Sequence, residues 1–173
     1  MSNILPGDLR GRKLQAEQAN FAATELAVHS VEGNIYRGPR PFSMAELEAA
    51  IPGVQYVIYL ESGVYEEFHS DAYKTERTHP VDFNLVLIEF PLSDLLPPPP
   101  ATLKKIVATL QSCGKKGRTY LHCLLGDDRT GISIAAYRML VDGWTKERAQ
   151  AEMFSLGFHQ FPYDAWLEVL DDL

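Results

Sequence analysis

His122-Cys123-Leu124-Leu125-Gly126-Asp127-Asp128-Arg129-Thr130-Gly131 is the stretch on which the reading of this 173-residue chain turns. Ahead of it, Arg118-Thr119-Tyr120-Leu121-His122 reads as a short strand. Behind it, a helix is expected from Thr130 to Val141, ended by Asp142-Gly143. Residues 123–129 form the loop between them. A loop that runs from a strand end into a helix start gathers free backbone amides around one point, where the helix dipole also favours negative charge. Gly126 permits backbone angles closed to other residues. Arg129 supplies a planar fork able to hold two oxygens of one phosphate. Ligands of open α/β sheets sit at the carboxyl ends of strands, which is where this loop falls.

Cys123 then lies at the bottom of a positive bowl, where amides, helix dipole and Arg129 all favour the thiolate. A thiolate beneath a bound phosphate is placed for in-line attack on phosphorus. His122 is suited to steady the loop through its ring hydrogen bonds, and Thr130 to donate to the sulfur as it departs. Asp127 and Asp128 would repel a phosphate if they faced it. Their side chains are therefore expected to point outward while their amides point in, with Asp128 meeting a neighbouring cation. Asp128 is also a candidate second acid.

Outward from the loop, the chain alternates strands and helices, so the expected fold is α/β: one domain with a central, mostly parallel sheet flanked by helices. Residues 34–37 read as a strand ending at Gly38-Pro39. Ser43-Met44-Ala45-Glu46 has the capping-box pattern, predicting a helix over 43–50 that stops near Pro52-Gly53. Residues 54–60 and 85–90 are apolar and β-rich, as expected of strands buried on both faces. A long polar loop with a helical turn near 64–69 is expected between them. Pro97 to Pro100 must lie outside the sheet, and read as a stiff connector to a helix over 101–112 with Leu103, Ile106, Val107 and Leu110 on one face. Gly114-Lys115-Lys116-Gly117 reads as a solvated turn. Thr145 is an N-cap for a helix over 146–156, and a last helix is expected over 162–171. Residues 1–30 are expected to be an arm or first hairpin, and 31–173 the domain proper.

Composition narrows the partners. A net charge of −7 gives no steering toward nucleic acid. No apolar run approaches a membrane span, and the first residues lack the order of a secretory signal, so a cytoplasmic protein is expected, or one whose targeting segment lies outside these 173 residues. Two cysteines, Cys113 and Cys123, are too few for a disulfide framework and fit a reducing compartment. Cys113 reads as a small buried residue near a helix end rather than a redox partner of Cys123. No Cys/His spacing suggests zinc, and no metal or other cofactor is expected.

The cysteine loop resembles the signature of the protein tyrosine phosphatase superfamily, which is HC, five residues, R, then S or T. The match lies at His122, Cys123, Gly126, Arg129, Thr130 and Gly131. The ending Gly-x-Asp-Arg-Thr-Gly is similar to that of bacterial, plant and fungal atypical dual-specificity phosphatases. Some of these act on phosphotyrosine, others on inositol phosphates or phosphoinositides. The resemblance spans about residues 34–160, where Tyr36-Arg37, the following helix and the 54–60 strand also fit. It implies phosphate held by the loop from Leu124, Leu125, Gly126, Asp127 and Asp128 to Arg129, and attack by Cys123. It also implies a general acid on an upstream loop. Asp94 lies 29 residues before Cys123, just past a strand end, in that position. The Trp-Pro-Asp form of the acid loop is absent, Asp71 and Asp82 are more distant rivals, and a turn or cap in Ser-Asp-Leu is the other reading of Asp94.

The expected function is therefore a cysteine-dependent phosphatase acting on a phosphorylated protein or a small phosphoester. The loop lacks the lysines of relatives that prefer highly phosphorylated inositols, so a single phosphoester is expected to be favoured. An inositol phosphate or phosphoinositide phosphatase and a catalytically weak phosphate-binding module are the alternatives; a sulfur- or arsenate-handling enzyme is a remoter one. Arg37 and Arg40 flank Gly38-Pro39 and are expected to pair with carboxylates rather than line the pocket mouth. His69 and His159 are given no role. Phe158, Phe161, Tyr163 and Trp166 are expected to be core.

Overall fold

A computed structural model describes residues 26–61, 85–159 and 164–173. Five strands, among the described residues, form one sheet in the order β1-β2-β5-β3-β4. They are β1 (His29–Glu32), β2 (Ile35–Gly38), β3 (Val54–Glu61), β4 (Val86–Leu92) and β5 (Arg118–His122). β1 and β2 form an antiparallel hairpin turning at Gly33, whose φ of 52° suits glycine. The pairings β2–β5, β5–β3 and β3–β4 are all parallel. The helices are α1 (Met44–Ala50), α2 (Pro100–Lys116), α3 (Asp128–Leu140), α4 (Lys146–Ser155) and α5 (Asp164–Glu168), with a 3-10 turn over Val169–Asp172. The expected single α/β domain with a mostly parallel sheet is what the chain forms, and similar solved structures share it.

Two cores lie on the two faces of the sheet. One packs Met44, Leu47 and Ile51 of the α1 region against Val57 and Tyr120. The other packs Leu103, Ile106 and Leu110 of α2 and Ile132, Ala135 and Ala136 of α3 against Ile58, Leu60 and Leu121. Neighbours along a strand point to opposite faces, so Val57 and Ile58, and Tyr120 and Leu121, feed different cores. That is why β3 reads as a nearly continuous apolar run over Val57–Leu60.

Ser43 caps α1 by accepting from the Glu46 amide at 3.2 Å, and Glu46 accepts in return from the Phe42 amide. Thr145 caps α4 by accepting from the Arg148 amide at 3.3 Å. Arg138 of α3 holds Glu152 of α4 through two bonds of 2.8 and 2.9 Å and Asp142 at 2.8 Å. The guanidinium groups of Arg138 and Arg148 lie over the Trp144 ring, 4.5 and 3.7 Å from its centroid. Trp166 is buried in the larger core with Phe158.

Three expectations need correction. Residues 114–116 are not a turn: α2 runs on to Lys116. Gly114 is helical because its missing side chain lets α2 close on Ile35; a Cβ there would meet Ile35 Cγ1 at 2.7 Å. The 85–90 strand is not buried on both faces. β4 is the edge of the described sheet, Val86 and Glu89 are exposed, and Pro91 is accommodated because an edge strand has one ladder side unused. Finally, α3 begins at Asp128, two residues before the expected start. The helical turn expected at 64–69, Asp71, Asp82, His69, Phe161 and Tyr163 fall outside the described residues.

Candidate active site

Four parallel strands end on one edge of the sheet, and the register sets the heights of their ends. Gly38 and Tyr59 both pair with His122, so Pro39 and Cys123 leave the sheet side by side. His122 is fully buried, with its ring 6.1 Å from that of Tyr59 and 5.6 Å from that of Tyr120. Its Nδ1 lies 3.2 Å from the Cys123 carbonyl oxygen. Tyr120 donates its hydroxyl hydrogen to the Pro39 carbonyl at 2.6 Å. That approach requires Gly38, where a Cβ would collide with the Tyr120 hydroxyl.

Cys123 is 3% exposed and Arg129 is 8% exposed. Gly126 bends the intervening loop with a φ of 81°, and a Cβ there would lie 2.7 Å from the Pro39 nitrogen. The loop is gripped from both flanks. On the β2 flank the Arg40 amide donates to the Leu124 carbonyl at 3.1 Å, and Arg37 Nη2 donates to the Gly126 carbonyl. On the α4 flank the Asp128 carboxylate accepts from the His159 amide at 2.9 Å and lies 3.2 Å from His159 Nδ1. Gly157, at a φ of 97°, passes so close to Asp127 that a Cβ would lie 3.0 Å from its carboxylate.

These grips decide where the loop amides aim. In a trans peptide the C=O and the following N–H point in opposite directions. The Cys123, Leu124 and Gly126 carbonyls are held by His122, the Arg40 amide and Arg37. The N–H groups of Leu124, Leu125 and Asp127 are therefore directed away from those partners. The first turn of α3 adds its own dipole. Arg129 Nη1 and Thr130 Oγ1 are buried without a hydrogen-bond partner among the described residues, which is what an anion-binding turn looks like when its donors are not used by the protein.

The expected pairing of Arg37 and Arg40 with carboxylates holds for Arg40 and fails for Arg37. Arg40 makes a buried two-point ion pair with Glu61, Nε to Oε1 at 3.0 Å. Arg37, 2% exposed, reaches the loop carbonyl instead. Burial pulls Arg37 below the ordinary arginine value, while the negative charge of Cys123, then of Asp127, acts the other way. His159, given no role in the sequence, is the partner of Asp128. Nothing in the local spacing of either residue separates it from a surface side chain. Asp94 is half-buried just past β4 on the same sheet edge as Cys123. The turn there is capped by Ser93, whose hydroxyl accepts from the Leu95 and Leu96 amides at 3.1 and 3.0 Å. Cys113 is buried, and burial pushes its thiol up. No cluster of three or more metal-ligating side chains occurs among the described residues.

The fold is shared with solved phosphatase structures, and the loop carries the residues that resemble the protein tyrosine phosphatase signature. Among curated proteins the chain is similar to the dual specificity protein phosphatase TpbA of Pseudomonas aeruginosa, with 38% identity over 58 residues. The match covers 34% of this chain and about a quarter of that protein, 27%. A solved structure of P. aeruginosa TpbA aligns with a TM-score of 0.65 at 21% identity, over 85% of this chain and 88% of that one. PTPMT1 in complex with PI(5)P aligns with a TM-score of 0.63 at 20% identity, over 84% and 92%. No protein-family model matches the chain.

Proposed function

We propose that this chain is a phosphomonoester hydrolase working through a phosphocysteine on Cys123, with phosphotyrosine-bearing protein as its favoured substrate class. The observation that carries the reading is a buried thiol where β5 enters α3, followed by a helical turn whose Arg129 Nη1 and Thr130 Oγ1 are buried with no hydrogen-bond partner among the described residues. Phosphate settles on the loop amides and the Arg129 fork. The Cys123 thiolate attacks phosphorus in line; a P–S bond forms as the P–O bond to the leaving group breaks, and Asp94 gives its proton to the departing oxygen. Asp94 then takes a proton from water, the oxygen attacks phosphorus, and the P–S bond breaks to return the thiolate, with the Thr130 hydroxyl donating to sulfur. Arg129 and the amides neutralise the charge that a metal would otherwise meet.

Support for Asp94 is that Ser93, not Asp94, makes the turn's capping bonds, and that parallel β4 delivers it to the Cys123 edge. Support for phosphotyrosine is that TpbA is a dual specificity protein phosphatase solved in complex with pTyr. PTPMT1 solved with PI(5)P favours a phosphoinositide as second reading. Asp127 and Asp128 disfavour a densely charged ring. Residence in the cytoplasm accords with the free thiols; no helix among the described residues is long and apolar enough to cross a membrane.

The test is release of phosphate from phosphotyrosine and phosphoserine peptides, inositol phosphates and phosphoinositides with a chelator present. Chelator-resistant release, fastest on phosphotyrosine and absent in Cys123→Ser while that variant still binds phosphopeptide, is expected. Equal release by Cys123→Ser would sink the covalent mechanism, and faster turnover of polyphosphorylated inositols would overturn the substrate class.

A further inference from the structure

A buried arginine ordinarily faces a carboxylate, because an uncompensated charge away from water is costly. Arg37 departs from that rule. It is 2% exposed, its Nη2 donates to a carbonyl 89 residues away in the cysteine loop, and its Nε and Nη1 have no hydrogen-bond partner among the described residues. The neighbouring Arg40, three residues on, keeps the ordinary arrangement with Glu61.

We infer that Arg37 is a positioning residue for the cysteine loop, turning the Gly126 peptide so that the Asp127 amide faces the phosphate. The inference follows from the peptide plane. Gly126 at a φ of 81° is a conformation that glycine reaches but does not prefer over others; the Arg37 bond selects one orientation of its carbonyl and thereby of the next N–H. This inference rests on the phosphate-loop reading of the site and extends it to a residue outside the signature.

The side chain uses one donor, so a single charge-assisted hydrogen bond is the property at stake. Arg37→Lys keeps a charged donor, while Arg37→Met keeps only the apolar stem. The measurement is the rate of iodoacetamide alkylation of Cys123 near neutral pH, read on the Cys123 peptide by mass spectrometry, and the protection that inorganic phosphate gives. Neither needs turnover. Arg37→Met is expected to lose about tenfold or more in both, the size expected of a buried charge-assisted bond; Arg37→Lys is expected to stay within about threefold of the native chain. A folded Arg37→Met that reacts and is protected like the native chain would overturn the inference, as would a Lys variant no better than Met. Should Arg37→Met not fold, Arg37→Lys alone decides, because a tenfold loss of phosphate protection with a charged donor retained refutes the inference. A native chain that is alkylated and protected but releases no phosphate would sink the phosphatase reading and leave the role of Arg37 standing.

Discussion

Gly126 and Asp94 carry different kinds of risk for the site. At Gly126 a side chain meets two obstacles together: a φ of 81° and the backbone of Gly38 and Pro39 against the loop. Gly126→Ala should cost about 1–3 kcal/mol of stability and weaken phosphate protection of Cys123, readable by thermal unfolding and alkylation; an unchanged loop would show that the bend is not needed. At Asp94 the loss should be chemical. Asp94→Asn is expected to lower turnover of a phosphotyrosine peptide about 100-fold or more, and much less for p-nitrophenyl phosphate, whose leaving group departs without a proton. Equal losses on both substrates would remove Asp94 from the acid role. The loop residues were legible in the sequence because Cys123 to Gly131 are contiguous and their spacing is itself the geometry. Arg37 was not, because its contact with Gly126 is made by the register of β2 on β5, which no local pattern encodes.

Elements hold this site through a few cross-links, and one of them responds to pH. Tyr137 of α3 donates to Glu32 of β1 at 3.3 Å, and burial, with Glu32 and Asp142 nearby, pushes its phenol from 10.0 to about 12. A folded value above the unfolded one means the stabilisation is complete below the unfolded value and is lost as pH rises through the folded one. The native chain should therefore lose stability relative to Tyr137→Phe between about pH 10 and about pH 12, measured by chemical denaturation across that window; parallel curves would refute it. Ile106 of α2, fully buried in the larger core, should cost about 2–5 kcal/mol when cut to alanine. Helix starts were legible where a side chain does the capping, as at Ser43 and Thr145. The length of α2 was not, since Gly114 looks like a turn until Ile35 is found packed on it. β4 misled for the same reason: an apolar run does not say whether a strand has one neighbour or two.

At the scale of the whole molecule, the proposed phosphate site belongs to an acidic chain. The net charge of −7 repels each additional phosphate on a substrate. Turnover of polyphosphorylated inositols should therefore rise with ionic strength relative to a phosphotyrosine peptide, as screening shortens to about 8 Å at physiological salt. A ratio indifferent to salt would show that the local field of the bowl outweighs the global one. The alternation of strands and helices made the layered architecture legible, whereas the order of the strands comes from pairings that span the chain. The two indoles, finally, make the protein its own optical probe. Trp166 emits from the dry core, while Trp144 has two cations over its ring where α3 meets α4. Each can be silenced by a Phe substitution, so fluorescence can ask whether the junction that backs the cysteine loop and the core melt together or in sequence. A single coincident transition would mean that the loop's support is as durable as the domain itself.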